Sequence, residues 1–162
     1  MSTSIIDGTI EDIDVKRARG GFVVYNSIRF RLPDGSPKSV VKSVVAKDVA
    51  DELQPGASGR FYLFSAFDLK GIHGFRSAGG KSVYKFPGNN AKIFIFVAVV
   101  NVLWVALRIA LDGQIPFLGV GLFILGVVGY VLMSKGEREA KQQFEADGGY
   151  APASGAPVVQ PS

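Results

Sequence analysis

No cysteine occurs among the 162 residues. Disulfides, thiolate metal sites and a cysteine nucleophile are therefore excluded, and the composition fits a reducing compartment. Histidine occurs once, at position 73. One imidazole without cysteine makes no specific metal site, and no neighbour in the sequence marks an orienting partner for an imidazole base. Residues 1–15 show no basic segment leading into an apolar run, so no cleavable signal peptide is expected. Charge is scarce in one region above all: between Ala91 and Met133 only Lys92, Arg108 and Asp112 carry it.

That region holds the clearest signal in the chain. Two apolar runs, Ile93–Leu111 and Ile115–Met133, flank the polar connector Asp112-Gly113-Gln114. As helices, each run would span roughly 28 Å, close to the ~30 Å hydrocarbon core of a bilayer. They read as a transmembrane helical hairpin. Two helices apolar on all sides need a large surrounding protein to bury them, and the other residues cannot supply one. Basic residues gather on both outer flanks: Arg76, Lys81, Lys85 and Lys92 before the first run, and Lys135, Arg138 and Lys141 after the second. The positive-inside rule then predicts an inner-membrane protein with both termini cytoplasmic. Arg108, one turn from the connector, is expected to snorkel outward and pair with Asp112.

Residues 1–90 read as a soluble domain. They carry 13 basic and 9 acidic residues, which is all of the net +4, because +1 in residues 91–133 cancels −1 in 134–162. Ile6, Gly8 and Ile10 alternate with Asp7, Thr9 and Glu11, which predicts a first strand over Thr3–Val15 with a bend at Gly8. Phe22–Leu32 alternates cleanly, with Phe22, Val24, Asn26, Ile28, Phe30 and Leu32 on one face. The turn Pro33-Asp34-Gly35 leads to a valine-rich strand, Lys38–Ala46. One or two helical turns follow around Val49, Ala50 and Leu53. Arg60–Phe67, Ile72–Ser77 and Ser82–Phe86 complete the set. Three strands, a short helix and two or three more strands predict a small closed β-barrel over residues 1–86. The order is similar to the OB fold; an SH3-like barrel is the alternative. Residues 87–90 form a linker spanning at most about 14 Å. Residues 134–147 have helical character as a cytoplasmic extension, and 148–162 are Gly-, Ala-, Pro- and Ser-rich, the composition of a disordered tail.

Candidate functional residues fall into three groups. Lys70, Arg76, Lys81, Lys85 and Lys92 run into the membrane segment without an acid among residues 71–92, which predicts contact with an anionic lipid leaflet. Arg60, Tyr62, Phe64, Phe75 and Tyr84 interleave aromatic rings with positive charge. They form a candidate binding face, and OB barrels can stack nucleic-acid bases on such rings. Half of these rings must fill the barrel, so nucleic acid is the weaker reading. In the hairpin, Asn101 is placed to bond across to Leu125–Gly126, while Ala106, Ala110, Gly119 and Gly126 offer close helix approach, within the hairpin or in a homo-oligomer. The acids Asp7, Glu11, Asp12 and Asp14 read as a solvated strand edge. No catalytic, metal or cofactor site is expected.

The chain is therefore expected to be a non-enzymatic, membrane-tethered accessory or scaffold subunit that presents its barrel to a membrane or cytoplasmic protein. A membrane-held ligand- or nucleic-acid-binding module is the alternative. An oligomeric carrier of small solutes or ions is the third reading, and the thin intramembrane polar inventory weakens it.

Overall fold

The computed structural model describes residues 2–66, 69–87 and 91–150. Residues 88–90 of the expected 87–90 linker and 151–162 of the expected 148–162 tail lie outside the described residues. So does the side chain of Lys92. The chain forms two compact units. One joins Met1–Pro87 to Ala140–Ser162; the other is Gly88–Glu139. The helical extension expected over 134–147 is thus divided, and its last turns belong with the barrel.

The first unit is built on one long strand. β1 (Ser2–Arg19) extends beyond the expected Thr3–Val15 and serves two partners. Its first half pairs with β4 (Ser58–Ala66) and its second with β2 (Phe22–Arg31), both antiparallel, and Thr9 belongs to both ladders. Gly8 and Gly59 face each other at this crossing. A Cβ on Gly8 would come 2.5 Å from the Arg31 carbonyl oxygen, so the bend expected there rests on backbone proximity. β3 (Pro37–Ala46) pairs antiparallel with β2, and β5 (Leu69–Ser77) antiparallel with β4. The circuit closes where Ser43–Val45 of β3 run parallel to Lys70–Ile72 of β5. The result is a closed five-stranded barrel in the order β1-β2-β3-β5-β4-β1. A sixth strand, β6 (Ser82–Tyr84), extends β5, and a short helix, α1 (Lys47–Ala50), sits between β3 and β4.

Ile6, Ile10, Ile28, Phe30, Phe61, Leu63, Ile72 and Phe75 fill the barrel, with Val49 and Leu53 from α1 and the loop after it. Phe61 stacks on Phe75 at 4.7 Å between ring centroids and meets Phe30 at 4.9 Å. One sequence expectation fails here. Val24 and Asn26 do not share the core face with Ile28; Tyr25 does. The β1–β2 register shifts between Asp14 and Val15, leaving Asn26 as an extra residue on β2. Opposite it on β3, Lys42 takes a left-handed backbone with φ 52°. A bulge of one residue reverses the alternation of the strand. Asn26 instead donates from Nδ2 to Asp14 Oδ2 at 3.0 Å.

The second unit contains α2 (Ala91–Asp112) and most of α3 (Phe117–Ala146), both long and apolar enough to cross a membrane by length and composition. Almost none of either apolar stretch is buried. That is the opposite of a soluble core helix, whose apolar faces are covered. Gly113, at φ 67°, ends α2, and its N–H is accepted by the Ile109 carbonyl at 3.0 Å. Pro116 then restarts the chain, so α3 begins two residues after the expected Ile115.

Gly71 stands at the closure of the barrel. A Cβ there would lie 2.0 Å from the Val44 carbonyl oxygen and 2.6 Å from the Phe64 ring. Gly71→Ala is expected to cost about 2–3 kcal/mol through overpacking and to accelerate hydrogen exchange at Ser43–Val45 before the β1–β2 ladder. Unchanged protection at those amides would show that the β3–β5 closure does not depend on this contact.

Candidate functional site

β4 and β5 are apolar on both faces. Phe61, Leu63, Ile72 and Phe75 point into the barrel, while Tyr62, Phe64 and His73 are buried outside that core cluster. On this outer face the His73 ring lies 5.8 Å from Tyr84, 6.2 Å from both Tyr62 and Phe64, and 6.3 Å from Phe86. Phe86 covers one side, 4.8 Å from Phe64, and the segment Ala140–Tyr150 covers the other. Phe144 meets Tyr62 edge-on at 4.9 Å and Tyr84 at 5.2 Å. Gly74 is the seat for this ring, since a Cβ there would come 2.6 Å from Phe144.

Polar contacts fix where that segment lies. Asp147 accepts from the Tyr62 hydroxyl at 2.5 Å and from Arg60 Nη1 at 2.8 Å. Arg60 also donates to both carboxylate oxygens of Asp7, at 2.7 and 2.8 Å, and lies over the Tyr150 ring at 4.5 Å. Arg76 donates to the Phe144 carbonyl at 2.9 Å and places its guanidinium 4.2 Å from the centre of that ring. The hydrogen bonds from Arg60 and then Tyr62 hold the Asp147 carboxyl below its usual range. The hydrogen bond that Arg60 donates to Asp7 comes first among the causes that keep Arg60 charged. Burial, followed by the bond to Asp147, pushes the Tyr62 hydroxyl up.

No known protein family, curated protein or solved structure matches this chain.

The residues expected to form an aromatic binding face are brought together only in part, and they face protein. Phe75 is in the barrel core. Tyr62 and Phe64 are 0% and 2% exposed. Tyr84 is half-buried beside Phe144, and Arg60 is held between two carboxylates. The basic set does not form one patch. Lys81 pairs with Glu52 at 2.6 Å and Lys85 with Asp48 at 2.7 Å, both beside α1, while Arg76 is committed to Phe144. Lys70 stands apart at the start of β5. Among the described residues no group of three His, Asp or Glu side chains could hold a metal ion.

In the helix pair, Gly119 and Gly126 do lie at close approach. A Cβ on Gly119 would meet Trp104 and Val105 within 2.8 Å, and one on Gly126 would lie 3.2 Å from the Ala98 Cβ. Gly129 adds a third seat, under the Phe94 ring. Asn101 bonds its own helix, donating to the Val97 carbonyl at 2.8 Å. Ala106 and Ala110 are exposed, away from this seam. Arg108 pairs with Asp112 one turn on.

Phe144 and Asp147 join the site from outside the candidate groups, and the sequence carries a signal for them. Ala140 and Phe144 are the apolar i, i+4 pair in an otherwise polar helix end, and a strand apolar on both faces needs two covers.

His73 is fully buried, and burial lowers its pKa to about 4. Neither ring nitrogen has a partner of ordinary hydrogen-bond geometry, though the Ala140 backbone slightly favours the charged form. Between pH 6.5 and 4 the unfolded chain binds a proton at this position that the folded chain does not. Stability is therefore expected to fall as pH drops through that window, by about 3 kcal/mol in full. Asp147, held low, withdraws its contribution only below its ordinary pKa of 3.8. Denaturation of the full chain in detergent, followed by near-ultraviolet circular dichroism, should show that slope in the wild type and a flat profile for His73→Leu. An equal slope in both would assign it elsewhere. Phe144→Ala is expected to cost about 3 kcal/mol and to expose residues 140–150 to protease.

Proposed function

We propose that this chain is a membrane-tethered, non-enzymatic accessory or scaffold protein that presents a small barrel to a protein partner. One observation carries the reading: a barrel with a closed core of its own adjoins, in sequence, two helices whose large apolar side chains are exposed along their length. Exposed surface of this kind is unstable in water and at home in hydrocarbon. The barrel is OB-like rather than SH3-like. Supporting this are the strand order, the parallel β3–β5 closure and the helix between β3 and β4.

The hairpin sits in the inner membrane with both termini cytoplasmic. The basic flanks favour that orientation over its reverse. The nucleic-acid reading loses its main support, because the rings expected to stack bases are covered by the chain itself. The carrier reading is weakened by Asn101, whose amide is engaged within its own helix.

A reporter fused after Ser162 is expected to be active only in the cytoplasm, and the full chain to stay with membranes through an alkaline carbonate wash. Crosslinking in intact membranes should capture a neighbouring protein. Release by carbonate, or a lone monomer with no crosslinked neighbour, would overturn the proposal.

A further inference from the structure

Among the described residues the β3–β5 ladder covers a short stretch only, and a pocket lies beside it. β3 pairs with β5 from Ser43 onward; upstream, the described pairing of Lys38–Val41 is with β2. Facing them are the start of β1 and the end of β4, which pair with each other through Ser4–Leu63 and Ile6–Phe61. Between these edges lies a pocket of about 310 Å³. That is the lower end of the range for small-molecule sites.

The lining is of two kinds. Ile6 and Leu63, both buried, and Val40 make an apolar floor, and Val41 is 50% exposed at the opening. Lys38 and Lys70 stand on opposite strands of the same pocket, whose lining also includes Ser4, Ser39 and Ser65. No described lining residue is acidic, and neither lysine is paired with a described carboxylate. Elsewhere on the barrel Arg31, Arg60, Lys81 and Lys85 each have a carboxylate partner. Two ammonium groups without a described carboxylate partner, beside Ser4 and Ser65 and above an apolar floor, match one ligand chemistry: an anionic head with a short apolar tail. Lysine is a point-charge phosphate binder and serine supplies the neutral donors.

We infer that the opening between β3 and the β1–β4 edge binds a phosphate ester carrying an apolar chain, with the phosphate between Lys38 and Lys70 and the chain over Ile6, Val40 and Leu63. The inference is independent of any protein partner. A lipid headgroup and a soluble phosphorylated metabolite both present this chemistry.

The test uses the full chain in nanodiscs of phosphatidylcholine, with hexyl phosphate as the probe and backbone amide NMR as the readout. Hexyl phosphate should shift residues 38–41, 63–65 and 70, and bind at least tenfold more tightly than inorganic phosphate. The double variant Lys38→Ala, Lys70→Ala should weaken it at least tenfold, and Val41→Asp should weaken it independently. Lys47→Ala, an exposed lysine outside the pocket, should leave affinity unchanged. Nanodiscs containing phosphatidylglycerol then separate the sources. The same shifts without hexyl phosphate identify a lipid; shifts with hexyl phosphate alone identify a soluble ester. Equal affinity for inorganic phosphate, shifts elsewhere, or indifference to the lysine variants would overturn the inference.

Discussion

The interaction on which the barrel unit depends is the burial of the outer face of β4 and β5. A strand exposed on one side can afford polar residues there. These two strands carry Tyr62, Phe64 and His73 outward and Phe61, Leu63, Ile72 and Phe75 inward. Leaving the outward rings in water would forgo roughly 2 kcal/mol or more for each large side chain. Ala140–Tyr150 and Phe86 reduce that cost, Phe144 lying on Gly74 and against Tyr62 and Tyr84, and Phe86 against Phe64. Ring contacts are weakly directional. The hydrogen bonds at Asp147 and the Phe144 carbonyl are strongly directional, and they choose one position for the segment among several that would bury similar area.

The same economy of space governs the barrel itself. A small closed barrel brings backbones into contact where strands cross, and side chains must be absent there. Gly8, Gly59 and Gly71 occupy such points, each with a carbonyl oxygen where a Cβ would be. Closure through Ser43–Val45 and Lys70–Ile72 joins the two ends of the sheet and removes exposed edge. The pocket lies beside this ladder, with Lys38 and Lys70 on its two sides. In the helix pair, glycine plays a related part. Gly119, Gly126 and Gly129 receive Trp104, Ala98 and Phe94, which spends the small residues on contact within the hairpin.

Much of this was legible in residue order. The strands around Ile28 and Phe61, the turn at Pro33–Gly35, the short helix at Val49 and the two long apolar helices all follow from period and turn chemistry. The inward set on β2 was not, because one extra residue at Asn26 reverses a pattern of period two, and nothing local announces it. Which aromatics are covered is not legible locally, for a different reason. Tyr62 and Phe64 look like a binding face when the strand is considered alone. Phe64 is met by Phe86, and the cover of Tyr62, Phe144, comes from about 80 residues later in the chain; only the fold brings it back.

By itself, the sequence determined element type and the separation into a barrel and an apolar helix pair, because periodicity, glycine and proline act within a few residues. It also determined where charge is absent, and hence which segment is suited to hydrocarbon. Only the tertiary structure decided which faces are free. Whether Tyr62, Arg60 or Lys70 meets water depends on what packs against it, and those contacts join residues far apart in the chain. That is why Arg60 ends between Asp7 and Asp147, while Lys38 and Lys70, unremarkable in their own neighbourhoods, face one pocket.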